Sequence, residues 1–175
     1  MRKPAKLRVR IRPPTEGDGP AFLSAVRRSR SLHHPWVLPP ATAEAFASYL
    51  ERASSDSHRG FLVIHRLTGD LVGVINLNNL IRGAFRNAFL GYYSFLPYRG
   101  KGLMAEGMQL ALTHAFRKLK LHRLEANIQP GNQASIALVR KCGFVREGLS
   151  RRYLKVCGRW RDHERWAILS EDSVC

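Results

Sequence analysis

Residues 89–105, FLGYYSFLPYRGKGLMA, decide how this chain folds. The aromatic and apolar run Phe89, Leu90, Tyr92, Tyr93 and Phe95 reads as a buried strand. It ends at Pro97, passes through Arg99, Gly100, Lys101 and Gly102, and enters a helix. Apolar side chains then recur at Met104, Met108, Ala111, Ala115 and Leu119, which is one face of a helical period. A strand that delivers a glycine-rich loop to a helix N-terminus presents free backbone N–H groups and the positive end of the helix dipole. Such a corner is a place to hold phosphate.

The spacing discriminates among phosphate ligands. The nucleoside triphosphate loop needs Ser or Thr after its lysine, and none follows Lys101. The dinucleotide fingerprint is met literally by Gly100, Gly102 and Ala105, with Glu125 further on. That fingerprint requires repeated parallel units, whereas the preceding chain reads as hairpins, and Glu125 falls inside its strand instead of ending one. An ordinary strand–loop–helix corner, its glycines serving only the turn, is the remaining alternative.

Outward from this stretch, 175 residues with 45% apolar composition fit one globular domain over 1–175. No run of 18 uncharged apolar residues exists, and Met1-Arg-Lys-Pro opens on charge, so the expectation is a cytoplasmic protein without a membrane partner. Cys142, Cys157 and Cys175 are odd in number and widely spaced, which argues against a disulfide scaffold or a structural zinc site. His33 and His34 are adjacent without an acidic or cysteine partner nearby, so no metal is expected.

The net charge of +16 favours an anionic partner: a phosphorylated cofactor, nucleic acid or a ribonucleoprotein surface. Arg2, Lys3, Lys6, Arg8, Arg10 and Arg12 form one cluster; Arg146, Arg151, Arg152, Lys155, Arg159, Arg161 and Arg165 form another. Arginine spread over solvated faces accounts for the same excess.

Taken in order, residues 7–12 alternate apolar and basic as a half-buried edge strand. Pro13-Pro14-Thr15 caps a helix to about 31, and a proline-bracketed loop with Trp36 leads to a helix at about 41–54. Strands at 61–65 and 71–77 join through Thr68-Gly69-Asp70, and a turn at Gly83 reaches the central strand. A strand at 122–128 completes a strand–helix–parallel strand unit. Asn132 then caps a short helix with Ser135 at its third position, and residues 144–170 read as two strands turning at Cys157-Gly158.

The loop Arg99-Gly-Lys-Gly-Leu-Met104 resembles the pyrophosphate loop of the GNAT superfamily of acetyl-CoA-dependent N-acetyltransferases, with Met104 where the family has a small residue. Residues 124–135 (LEANIQPGNQAS), 141–148 (KCGFVREG) and 153–163 (YLKVCGRWRDH) resemble one branch, the ribosomal-protein-alanine N-acetyltransferases of the RimJ/RimL type. His33-His-Pro-Trp36 resembles that branch's loop between its first helices, and the similarity spans about residues 7–170.

The resemblance implies a mixed α/β fold: a seven-stranded, mostly antiparallel sheet flanked by helices, whose fourth and fifth strands splay to admit acetyl-CoA. It implies that the backbone of Phe95, Leu96 and Pro97 bonds the pantetheine. Arg99, Gly100, Lys101, Gly102, Leu103 and Met104 would wrap the pyrophosphate, and Asn132 and Ser135 would approach the thiol. His34, Trp36, Trp160, Asp162 and His163 would shape the acceptor end. The acceptor would be a protein N-terminus, a ribosomal protein's alanine, with docking to ribosome or RNA through the basic surface. A small amine acceptor, or an RNA-binding module without turnover, are the alternatives, and the assembly is a monomer or homodimer.

The chemistry is direct attack of a neutral amine on a thioester. A free α-amine titrates near ~7.7–8.0, against ~10.4 for lysine, so it needs only modest base help. Glu125 and Asn127 lie two apart on one strand face, which makes Glu125 the candidate base. Ser135 is the candidate partner of the leaving thiolate.

Overall fold

Val9 and Ile11 alternate with Arg10 and Arg12, and they form the edge strand β1 (Val9–Arg12) in a computed structural model that describes residues 7–172. Arg2, Lys3, Lys6 and Cys175 lie outside the described residues. β1 pairs antiparallel with β2 (Arg59–His65), β2 with β3 (Leu71–Ile81), and β3 with β4 (Asn87–Ser94). The chain then crosses through α4 (Leu103–Thr113) and a π-turn at His114–Lys118 to β5 (Arg123–Ile128). Preceding these are α1 (Gly19–Arg28), α2 (Arg30–His33) and α3 (Ala43–Ala53). After β5 come α5 (Gln133–Lys141), β6 (Val145–Val156) and β7 (Arg159–Leu169).

The sheet order is β1-β2-β3-β4-β5-β7-β6, with β4 and β5 parallel and the other neighbours antiparallel. This is the mixed seven-stranded sheet expected above. Strand alternation feeds a core on each face. Phe61 and Val63 of β2 join Met108, Ala111, Ile136 and Val139 beneath α4 and α5; Leu62 and Ile64 join Phe22, Phe46 and Tyr49 beneath α1 and α3.

Two features position the site. Pairing between β4 and β5 runs from Asn87↔Arg123 to Leu90↔Ala126 and stops, although β4 continues to Ser94 and β5 to Ile128. The strands part there. The helix expected from Thr15 to Ser31 is instead three pieces: a 3₁₀ turn at Glu16–Asp18, α1 and α2. The break falls at buried Ser29, whose hydroxyl accepts a hydrogen bond from the Leu96 N–H at 3.0 Å and ties the helical layer to the end of β4.

Candidate functional site

Where β4 and β5 part, a cleft of about 540 Å³ runs through the sheet, walled by β4 from Leu90 to Ser94, by Asn127–Gln129 and by the start of α5. Backbone groups alternate along a strand, so neighbouring residues address opposite edges. The Phe95 N–H donates to Val72 O at 2.8 Å in β3, which leaves the backbone groups of Tyr92 and Ser94 turned to the opened edge. The Ser94 carbonyl accepts from His33 Nε2 at 2.9 Å.

This corrects the placement of Phe95, Leu96 and Pro97. The backbone groups of Phe95 and Leu96 are engaged within the fold: the Phe95 carbonyl accepts from Tyr98 N at 3.0 Å, and the Leu96 carbonyl accepts from Arg28 Nε at 2.8 Å. Pro97 has no N–H to give. The opened edge lies one turn of the alternation earlier.

At one end of the cleft the loop reaches α4. Gly100 (φ 75°) and Gly102 (φ 76°) are both left-handed, and nothing lies within 4 Å of where a Gly100 Cβ would stand. Gly102 is the N-cap of α4, so the N–H groups of Leu103 and Met104 precede the helical ladder; the Leu103 side chain is buried in the core. A Cβ on Gly102 would lie 3.5 Å from Arg8 Nη2 and 4.0 Å from Lys141 Nζ. Arg8 is anchored: its Nε donates to Glu106 Oε1 at 2.7 Å and its Nη2 to Lys101 O at 3.1 Å. Lys101 sits 5.4 Å over the Tyr98 ring, and Arg99 lines the cleft. Glycine backbone, a helix N-terminus and four cations fit a pyrophosphate.

Met104 is accommodated by an absence. Gly73 of β3 faces it, and a Cβ there would collide with the Met104 sulfur and the Tyr93 carbonyl. The large side chain at a small-residue position is matched by a missing one across from it.

On the α5 side, Asn132 Oδ1 accepts from Ser135 N at 3.2 Å, the expected cap, and both residues line the cleft. Ser135 Oγ lies 2.6 Å from Tyr92 Oη across the gap, and burial raises the phenol above its ordinary range. Asn127 lines the cleft with its Oδ1 buried and without a partner among the described residues.

Of the expected acceptor-end residues, Trp36 and His163 line the cleft, and Trp36 packs on Gly131. His163 Nδ1 is 2.9 Å from the Arg161 carbonyl, which can only accept. The ring proton therefore sits on Nδ1, and Nε2 carries the lone pair. Burial, partly offset by that bond, lowers the ring below its ordinary value.

His34, Trp160 and Asp162 do not line the cleft. His34 is exposed, and its buried neighbour His33 takes the cleft position. Trp160 is 61% exposed, and Asp162 Oδ1 accepts from Arg152 N at 2.8 Å, fixing an irregularity in β6. Glu125 is also outside. Its Oε1 accepts from Arg123 Nε at 2.8 Å and Asn87 Nδ2 at 3.2 Å, and Arg123 binds Glu147 as well. Glu125 and Asn127 share a face, but β4 and β5 separate between them.

Arg8, His33, Tyr92 and Lys141 were not singled out for the site from sequence. Alternation places Arg8, Arg10 and Arg12 together without saying which meets the loop. Tyr92 read as one more core aromatic, although its hydroxyl, so close to the glycine loop, was the available signal. Among the described residues no three His, Cys, Asp or Glu side chains gather as a metal site requires, and no helix is long and apolar enough to cross a membrane.

Over residues 8–145 the chain matches the family described as an acetyltransferase (GNAT) domain. The probable N-acetyltransferase YjcK of Bacillus subtilis is 40% identical over 124 residues, 71% of this chain and 68% of that protein. The [ribosomal protein uS5]-alanine N-acetyltransferase of Escherichia coli is 38% identical over 103 residues, 59% of this chain and 53% of the relative's length. Mycobacterium smegmatis RimJ, solved in complex with CoA-disulfide, shares the fold with a TM-score of 0.87 at 29% identity, covering 95% of this chain and 84% of that one.

Proposed function

This chain belongs to the GNAT acetyltransferase family, and from that footing we propose that it transfers the acetyl group of acetyl-CoA to the N-terminal α-amine of a protein, a ribosomal protein's alanine. The observation that carries the proposal is the parting of β4 and β5 beyond Leu90 and Ala126, with the Gly100–Gly102 loop at one mouth and His163 in the wall. The alanine acceptor is supported by what the E. coli relative is named for.

Acetyl-CoA, when bound, supplies an activated acetyl thioester with a thiol leaving group. The loop from Arg99 to Met104 would hold the pyrophosphate, aided by Arg8 and Lys141, and the outward backbone of Tyr92 and the Ser94 N–H would orient the arm. His163 Nε2 accepts the proton lost by the attacking amine; a ring held neutral by burial is ready for that role. Ser135, held by Tyr92, hydrogen-bonds the departing sulfur. A phenol raised by burial is a weak proton donor to a thiolate, so Tyr92 acts by positioning Ser135. Glu125, already bound by Arg123, is assigned to holding β5.

The test is thiol release from acetyl-CoA with an alanine-starting peptide, an N-terminally blocked lysine peptide and spermidine, the acetyl group located by mass spectrometry. Acetate on the α-amine is expected. Acetate confined to lysine or spermidine would overturn the acceptor.

A further inference from the structure

We infer that the outer end of the β6–β7 hairpin is a docking surface for single-stranded RNA, placed beside the acceptor end of the cleft. Only the reason for an RNA to be there, an acceptor carried on a ribonucleoprotein, rests on the proposed function.

Residues 151–161, RRYLKVCGRWR, hold five cations (Arg151, Arg152, Lys155, Arg159 and Arg161) and no acid. All five lie on the two strands that meet at the Cys157-Gly158 turn; four are exposed and Arg161 is half-buried. None forms an ion pair with a described residue. At the base of the same hairpin the pattern differs, because Arg146 pairs with Glu164 at 3.3 Å and Glu147 binds Arg123. The one carboxylate at the outer end, Asp162, accepts from the Arg152 backbone N–H at 2.8 Å and forms no ion pair with a described residue.

Charge by itself fits any polyanion, and cations on an edge strand also discourage self-pairing. Neither accounts for Trp160. It is 61% exposed, stands directly across from Lys155, and is flanked in sequence by Arg159 and Arg161. An exposed indole with Lys155 across from it on one face of the hairpin, and Arg159 and Arg161 on the other, suits an unstacked base whose phosphates meet the neighbouring cations. The position completes the argument. Cys157 Sγ reaches the Pro35 carbonyl at 3.7 Å, in the loop that carries Trp36, and the Tyr153 ring centroid lies 6.2 Å from that of His163. Arg159 and Arg161 share the strand face of His163, so RNA held on them flanks the opening where an acceptor N-terminus would enter.

The experiment is fluorescence anisotropy of a labelled mixed-sequence twelve-nucleotide oligoribonucleotide with the full chain, across a potassium chloride series. Log affinity is expected to fall against log salt with a slope of about −0.7 per phosphate engaged, roughly −3 in all. The triple variant Arg151→Gln/Lys155→Gln/Arg159→Gln should flatten that slope by about 2 and weaken low-salt binding at least tenfold, on the order of three lost phosphate contacts. Its turnover of a short alanine peptide should be unchanged. Trp160→Ala should weaken binding about tenfold, on the scale of one base–aromatic stack, with the slope unaltered.

Wild-type RNA affinity in the triple variant would overturn the assignment. So would polyglutamate of equal charge binding as tightly and resisting displacement by RNA, which would give the surface to acidic proteins. RNA binding that depends on these residues, in a protein that acetylates no α-amine, would sink the proposed function and leave the surface standing.

Discussion

The hydroxyls of Tyr92 and Ser135 lie 2.6 Å apart and bridge β4 to the first turn of α5 across the open part of the sheet. Tyr92→Phe should therefore act through Ser135. We expect a stability loss of about 1 kcal/mol and a fall in kcat of roughly tenfold, the equivalent of about 1.4 kcal/mol. Ser135→Ala should lower kcat at least as far, and the double variant no further than Ser135→Ala alone. Additive losses in a kinetic double-mutant cycle would separate the two residues.

His163 makes a prediction in pH. Its ring is held below the ordinary histidine value, so the neutral form persists at pH 7 and is lost only as pH falls through the lowered value. The acceptor amine is protonated first, below ~8. Log kcat/KM should thus fall with unit slope below the amine's pKa and steepen to a slope of two at lower pH. In His163→Gln the slope should stay at one and the plateau drop by on the order of a hundredfold. A mutant profile that still steepens would assign the second proton elsewhere.

Glu125→Gln should leave kcat within about twofold of wild type while lowering stability by about 1–2 kcal/mol, since it removes a charged partner from Arg123 and Asn87. Unchanged melting with a tenfold slower rate would return Glu125 to the chemistry.

The Gly73–Met104 fit predicts a compensating pair. Gly73→Ala should cost about 1–3 kcal/mol through overpacking, several degrees in Tm for a chain of this size. Adding Met104→Ala should recover part of that, because the contact with the Tyr93 carbonyl remains. Calorimetry on the four proteins measures the coupling, and strict additivity would show that the two residues do not share the space.

Asp18 gives the acid dependence of stability. It takes two hydrogen bonds from the Arg12 guanidinium and one from the Thr15 N–H, which hold its carboxyl down at about 2. A depressed carboxylate stabilises the fold fully above its unfolded value near ~3.9, and that contribution disappears as pH falls towards 2. The pair is partly exposed, so Asp18→Asn should cost only about 1–2 kcal/mol at pH 7. Urea unfolding should show the gap to wild type closing between about pH 4 and pH 2; a constant gap would mean the ion pair contributes nothing.

Local pattern was enough for much of this. Residue alternation, the Asn132–Ser135 cap, the Cys157-Gly158 turn and the glycine loop leading into a helix each depend on neighbours within a few positions, and each took its expected form. The shape of the site was decided by partners distant in the chain. Alternation tells which face Glu125 and Asn127 share, but the end of β4–β5 pairing falls between them, and that follows from how two strands and their covering helices pack. Arg8 meets Glu106 and the Lys101 carbonyl 98 and 93 residues on, and Tyr92 meets Ser135 43 residues on. Periodicity encodes orientation about an element's own axis. Such contacts depend on where elements stand relative to one another, and only the packed sheet sets that.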